Sequence, residues 1–221
     1  MKKIQKAFVA ASALVSLGFI GLGQANAAVT VLTFEGVGEG LVDGYYAPDY
    51  IFSPVAFGLV DGDAGGSGSF ANEPSANTVM LFYSPENAIL NVTNGFSTGF
   101  SFFYSSATAG RVNVWSGLNA TGNILGTIAL TGQYDTGCAG DPTGRYCNWT
   151  NAGVTFAGTA SSIDFGGTDA GTTAFDDITF GSDVAGAVPE PSTWAMLLLG
   201  FGAVGGALRI GRKKKLTASF A

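Results

Sequence analysis

The central part of this chain is predicted to be an all-β domain, a two-sheet β-sandwich of jelly-roll-like type. Three observations carry that expectation. Short runs rich in Val, Ile, Phe and Tyr are separated by Gly, Ser, Thr and Asn. No long stretch between the two ends of the chain shows a helical hydrophobic period. The most regular run alternates, with Phe100, Phe102 and Tyr104 on one face and Ser101, Phe103 and Ser105 on the other.

In order, strands are expected at 29–35, 56–59, 78–83, 96–105, 111–117, 124–130, 154–157, 161–165 and 174–180. Between the second and third lies Asp61-Gly-Asp-Ala-Gly-Gly-Ser-Gly-Ser69, which has too little apolar surface to pack and is expected to be a flexible loop. In the fifth, Val112 and Val114 alternate with Arg111, Asn113 and Trp115. In the last, Asp176 falls in step with Ile178 and Phe180, so one acid of the pair Asp176-Asp177 points the way the core residues point. Eight or nine short, Gly-interrupted strands favour a sandwich over an outer-membrane barrel.

Both ends of the chain read as segments outside the domain. Lys2, Lys3 and Lys6 precede an apolar run from Ala7 to Leu22 and then Gln24-Ala-Asn-Ala27, the pattern of a secretory signal peptide cleaved after Ala27. At the other end stand Val188, Pro189, Glu190 and Pro191, the apolar run 195–208, and the basic cluster Arg212-Lys-Lys-Lys215. The apolar run falls short of a hydrocarbon core of roughly 30 Å, but Trp194 can sit at one interface and Arg209 can snorkel at the other. The expected organisation is a signal peptide at 1–27, an exported β-sandwich at 28–183, a linker with the Pro-Glu-Pro motif at 184–191, a transmembrane helix at 192–210, and a basic cytoplasmic tail at 211–221.

This tail resembles the PEP-CTERM sorting signal of Gram-negative bacteria, a pattern also catalogued as an ice-binding-protein C-terminal domain. The resemblance rests on Val188, Pro189, Glu190, Pro191, the hydrophobic run and the basic cluster, and covers only the C-terminal end of the chain. It implies recognition by a membrane-embedded exosortase, processing near the Pro-Glu-Pro, and delivery to the cell surface or the extracellular space. The residues 216–221 beyond the basic cluster depart from the usual pattern.

Charge and cysteine usage narrow the function. All sixteen Asp and Glu lie between Glu35 and Glu190, while Arg111 and Arg145 are the sole cations from 28 to 191, giving that segment a net charge of −14. Such a surface repels phosphate backbones and excludes nucleic acid as a partner. The chain has no histidine, and the 28–191 segment has no lysine. The usual bases for a nucleophilic mechanism are therefore missing, and the protein is read as a non-enzyme. Cys138 and Cys147, the only cysteines, flank a Gly/Pro turn and are expected to form one disulfide in an exported protein.

Two constellations are candidates for binding. Thr33-Phe-Glu-Gly36 lies on the first expected strand and Phe175-Asp-Asp-Ile178 on the last. The arrangement loosely resembles jelly-roll carbohydrate-binding modules, where neighbouring first and last strands hold a structural Ca2+. That resemblance implies Glu35, Asp176 and Asp177 as ligands; a solvated strand end is the other reading. Trp115, Tyr134, Tyr146 and Trp149 sit among Asp, Asn, Arg and Gly and are candidates for stacking on a glycan. The three Asn-x-Thr matches at Asn91, Asn119 and Asn148 are read as accidental. The expected role is a structural or adhesive protein at the cell surface or in the exopolysaccharide (biofilm) matrix, the alternative a calcium-stabilised carbohydrate-binding module. Expected partners are an exosortase, the membrane through the C-terminal helix, and extracellular polysaccharide.

Overall fold

Phe100, Phe102 and Tyr104 all lie in the core, and the strand that carries them is the spine of the molecule. The structure is a computed structural model that describes residues 29–139, 144–187 and, in the tail, 197–202, 205 and 209. Its strands are β1 (Thr30–Leu32), β2 (Gly40–Leu41), β3 (Tyr50–Phe52), β4 (Ala56–Val60), β5 (Thr78–Phe82), β6 (Ile89–Ser106), β7 (Gly110–Trp115), β8 (Ile124–Leu130), β9 (Thr150–Gly167) and β10 (Thr173–Phe180).

All pairings among these strands are antiparallel, and hydrogen bonds join them into one ten-stranded sheet of order β2-β4-β5-β10-β6-β9-β7-β8. β1 pairs with β10, and β3 with β6. The expectation of two separately bonded sheets is corrected here. β6 and β9 are each 18 residues long and bend instead of ending, so the ladder runs on through the bend. The β6–β9 register shifts between Asn91 and Thr98. Facing that irregularity, Gly95 and Gly158 take left-handed φ of 65° and 93°. The sequence reading split β9 at Gly158 and began β6 only at Phe96.

The bend brings the two lobes of the sheet face to face. Phe165, on the later half of β9, packs its ring 4.9 Å from Phe175 on β10, 5.0 Å from Phe82 on β5 and 6.2 Å from Phe102 on β6. Val112, Val114, Leu90 and Ile163 complete the same core from the second lobe. A cluster of Phe side chains of this size is the main source of stability, at roughly 25 cal/mol per Å² of apolar surface removed from water.

The outer face of the first lobe is covered as well, which is why every residue of β5 is buried. Phe70, Val79 and Ala174 form a second small core there, with Leu59, Tyr146 and Trp149 packed against it. The Gly-rich segment after β4 supplies part of the cover, and it is a turn closed by a backbone bond between Gly62 N and Gly68 O where a flexible loop was expected. Asp61 is buried; its Oδ1 accepts from Phe70 N at 3.2 Å and its Oδ2 from Asp63 N at 3.1 Å. Gly66 and Gly68 press on Val60 so closely that a Cβ at either position would collide with its backbone.

The expected signal peptide, 1–27, lies outside the described residues, as do Val188 to Pro191. Residues 197–202, 205 and 209 are helical, and no helix among the described residues is long and apolar enough to cross a membrane.

Candidate functional site

The first and last strands are neighbours as expected, with Thr30 opposite Phe180 and Leu32 opposite Ile178. β1 then leaves, and β5 takes its place only at Phe175, opposite Met80. The gap between them holds Asp176 and Asp177, where Asp177 has a φ of 47° and the β10–β6 register shifts. The segment Ser75–Thr78 enters this gap and is held by carboxylates. Asp176 Oδ2 accepts from Ser75 N at 2.8 Å, and its Oδ1 lies 2.8 Å from Ser75 Oγ and accepts from Asp177 N at 2.7 Å. Glu35 Oε1 accepts from Asn77 N at 2.9 Å and Thr78 N at 2.8 Å.

Asp176 is fully buried, and burial pushes its carboxyl up to about 7 against the opposing pull of its hydrogen bonds to Ser75. Burial, and after it the charge of Glu35, also raises Asp177. The three acids therefore lie together as the sequence suggested, with the Asp176 and Glu35 carboxylates accepting from backbone donors. Among the described residues no group of three His, Cys, Asp or Glu side chains is placed to hold a metal ion. Both Asp176 oxygens are engaged by Ser75 and Asp177 N, and Glu35, Asp176 and Asp177 do not form a ligand group among the described residues as they stand.

Of the four candidate glycan residues, three come together. Cys138 and Cys147 are disulfide-bonded, with their Cα atoms 5.9 Å apart, and Tyr146 and Trp149 on either side of Cys147 pack against the second small core. Tyr134 and Tyr146 pack at 5.0 Å, Tyr146 and Phe70 at 6.0 Å, and Phe70 and Trp149 at 6.2 Å. The Arg145 guanidinium lies 5.3 Å from the Tyr134 ring centre and donates to its hydroxyl at 3.3 Å. Trp149 Nε1 donates to Ala71 O at 3.0 Å, which ties that ring down. Beside Tyr146 opens a cavity of about 220 Å³ with Leu59, Phe70 and Leu81 among its walls. Ser67, Ser69 and Thr173 also line it, with their hydroxyls engaged by Glu39 Oε1, Arg145 N and Ser106 Oγ. Trp115 stands apart on β7. The amides of Asn91 and Asn148 are engaged, donating to Asn119 Oδ1 at 2.8 Å and Thr136 O at 2.7 Å.

A third arrangement was missed from sequence. Ser101 and Thr179 are opposite each other on β6 and β10, and both are fully buried polar residues on the face turned away from the core. The chain leaving β10 crosses over them. Ser101 Oγ donates to Ser182 O at 3.0 Å, Thr98 Oγ1 to Gly181 O at 2.8 Å, and Gly186 N donates to Thr179 Oγ1 at 3.0 Å. Gly99 and Gly153 make room, since a Cβ on Gly99 would sit 2.7 Å from Asp183 N and one on Gly153 would collide with the Asp183 carbonyl. Ala185 is buried. The expected linker from 184 is thus part of the folded body as far as Gly186. Two hydroxyl residues and two glycines on one face of strands otherwise built from large apolar residues were the available signal.

Immediately beyond this crossing, the model of a family described as the PEP-CTERM protein-sorting motif matches residues 187–213. The chain carries a PEP-CTERM sorting motif. The match begins one residue after Gly186, which is anchored to the sheet through Thr179 Oγ1. Two solved structures also align with this chain. One is the K2 cleaved adhesin domain of Lys-gingipain, at 14% identity and a TM-score of 0.41 over 69% of this chain and 97% of that one. The other is the K1 cleaved adhesin domain of Lys-gingipain from Porphyromonas gingivalis W83, at 15% identity and 0.39 over 69% and 96%. No curated protein matches the chain.

Proposed function

We propose that this chain is an exported protein of the cell surface or extracellular matrix, structural or adhesive in role and not catalytic, delivered by an exosortase acting on its C-terminal motif. The match at 187–213 carries this reading, because it places a sorting motif directly after the end of an all-β body. In this reading 1–27 is a signal peptide removed on export and 28–183 the jelly-roll-like cargo. Residues 192–210 then form a transient membrane helix stopped by the basic cluster from Arg212 to Lys215. An acidic, lysine-free body suits solubility in a crowded matrix.

Replacing Pro189, Glu190 and Pro191 by alanine tests the sorting step. Export should persist, and the protein should accumulate in the inner membrane still carrying its tail. Surface release of that variant at the normal level would contradict the proposal.

A second reading is supported by one observation, the cavity beside Tyr146 with its apolar walls and its serine and threonine lining. A pyranose presents both apolar C–H faces and hydroxyls, so matrix polysaccharide is the ligand class that chemistry suits. In that reading Tyr146 faces the glycan, with Tyr134 and Trp149 packed beside it.

A further inference from the structure

On the outer face of the second lobe, four strands line up a row of directly opposed residues. Ile51 on β3 lies opposite Asn91 on β6, Asn91 opposite Ser162 on β9, and Ser162 opposite Trp115 on β7. Residues opposed in this way share one face of a sheet, and their chain neighbours Phe52, Leu90, Ile163 and Val114 belong to the core. The turn between β7 and β8 folds back onto this row. Ala120 N donates to Ser162 Oγ at 3.0 Å, and Ser162 Oγ donates to Gly117 O at 2.6 Å. A cavity of about 270 Å³ opens where that turn meets Asn91; it is lined by Ile51, Asn91 and Asn119, and also by Asp43, Ser53 and Asn87.

The polar groups of this cavity have defined roles. Asn119 N donates to Asn91 Oδ1 at 2.8 Å, which fixes the Asn91 amide, and Asn91 Nδ2 then donates to Asn119 Oδ1 at 2.8 Å. The open end of the Asn119 amide is therefore Nδ2, a donor. Ser53 Oγ accepts from Ile89 N at 3.2 Å, which leaves its hydroxyl hydrogen to donate. Among the described residues no hydrogen bond engages the Asp43 carboxylate or the Asn87 side-chain amide, and both residues are exposed. Ile51 supplies an apolar surface and is 43% exposed in the middle of its strand. Asn87 and Asn119 hold left-handed φ of 62° and 55°, and Ala120 beside them 53°. Backbone of this kind gathers at ligand sites more than at plain turns.

We propose that this cavity binds one neutral sugar residue of a polysaccharide, with Ile51 against a C–H face of the ring, Asp43 accepting from its hydroxyls, and Asn119 Nδ2 and the Asn87 amide donating to its oxygens. Every sugar hydroxyl both donates and accepts, so a site for it needs a mixed set of this kind, and the carboxylate makes the stronger, charge-assisted bonds. The volume lies just below the roughly 300 Å³ at which pockets for larger ligands begin, which suits a single ring. Among the described residues no cation lines the cavity. Asp43, in a 28–191 segment of net charge −14, repels an acidic sugar, so the selectivity is for uncharged residues. This site is separate from the cavity beside Tyr146 and depends neither on that reading nor on the sorting motif.

Saturation-transfer NMR on the full chain, held in a zwitterionic detergent without a sugar headgroup, tests this. The probes are D-glucose, D-galactose, D-mannose and N-acetyl-D-glucosamine, with D-glucuronate as the acidic control. At least one neutral sugar should bind with a Kd of about 1–10 mM, the strength a dozen heavy atoms can supply. Glucuronate should bind at least about fivefold more weakly than that sugar. Asp43→Asn removes the charge, and Asn119→Asp replaces the Nδ2 donor by an acceptor while keeping the bond from Asn91 Nδ2. Each should weaken binding by at least about tenfold, with circular dichroism melts confirming the fold. Tyr146→Ala, in the other cavity, should leave binding unchanged. No transfer to any neutral sugar up to about 50 mM would overturn the proposal, as would equal binding in wild type and both variants. Glucuronate binding as tightly would overturn the neutral class. Loss in Tyr146→Ala alone would move the sugar to the other cavity, and loss on adding chelator would assign Asp43 to a cation; either result overturns this site.

Discussion

Asp176 shows how one buried carboxylate can stand in for a missing strand. Between the end of β1 and the start of β5 pairing, its two oxygens satisfy Ser75 N, Ser75 Oγ and Asp177 N. Asp176→Ala leaves two part-buried backbone donors, Ser75 N and Asp177 N, unpaired, and should cost about 1–3 kcal/mol in denaturant unfolding. Because those partners are protein groups, the loss should be the same in Ca2+ and in chelator; a loss confined to Ca2+ would restore the metal reading. The group also predicts a pH dependence. Its carboxyl is raised in the folded state from 3.8 to about 7, so the folded protein binds the proton more tightly than the unfolded chain. Its contribution is fully present below about pH 4 and is lost as pH rises toward 7. Asp176→Asn should flatten stability across that window, and an unchanged slope would show that other groups set it. The acid pair was visible in the sequence through its alternation with Ile178 and Phe180. Its partner was not, because Ser75 is 101 residues away and nothing local marks it.

At the scale of elements, turn signals proved to mean bends. Asn94-Gly95 and Gly158 are the residues that end strands in a linear reading, yet here they let β6 and β9 change direction while the ladder continues. Gly158 has open space where a Cβ would go, so its requirement is conformational alone. Gly158→Ala should destabilise by about 1–2 kcal/mol in chemical denaturation through its φ of 93°. A neutral outcome would mean the bend is dictated by its partners. The existence of eight of the ten strands, the alternating faces of β6 and β7, the disulfide and β8 to its exact ends were legible, since each rests on local alternation or composition. β2 and β3 were not, being two and three residues long. Nor was the double cover of β5, which depends on loops arriving from 61–70 and 134–149. The segment 61–69 misled for a related reason: glycines that look like slack are needed for the close approach to Val60.

For the whole molecule, the structure and the tail describe successive parts of one path. An acidic all-β body, tied across its outer face by its own exit segment, hands the chain directly to a PEP-CTERM motif at 187–213. Of the candidate functional residues, the motif was readable because its chemistry is contiguous. The aromatic cluster was readable only as composition, since Phe70 joins it from a distant loop. The most direct test of the account is intact-mass spectrometry of the protein taken from the outer surface and from the inner membrane of its host. The account predicts a surface species beginning at Ala28 and ending near Glu190 or Pro191. A surface species that keeps its tail to Ala221, or protein found only in the inner membrane at that full C-terminal length, would contradict it.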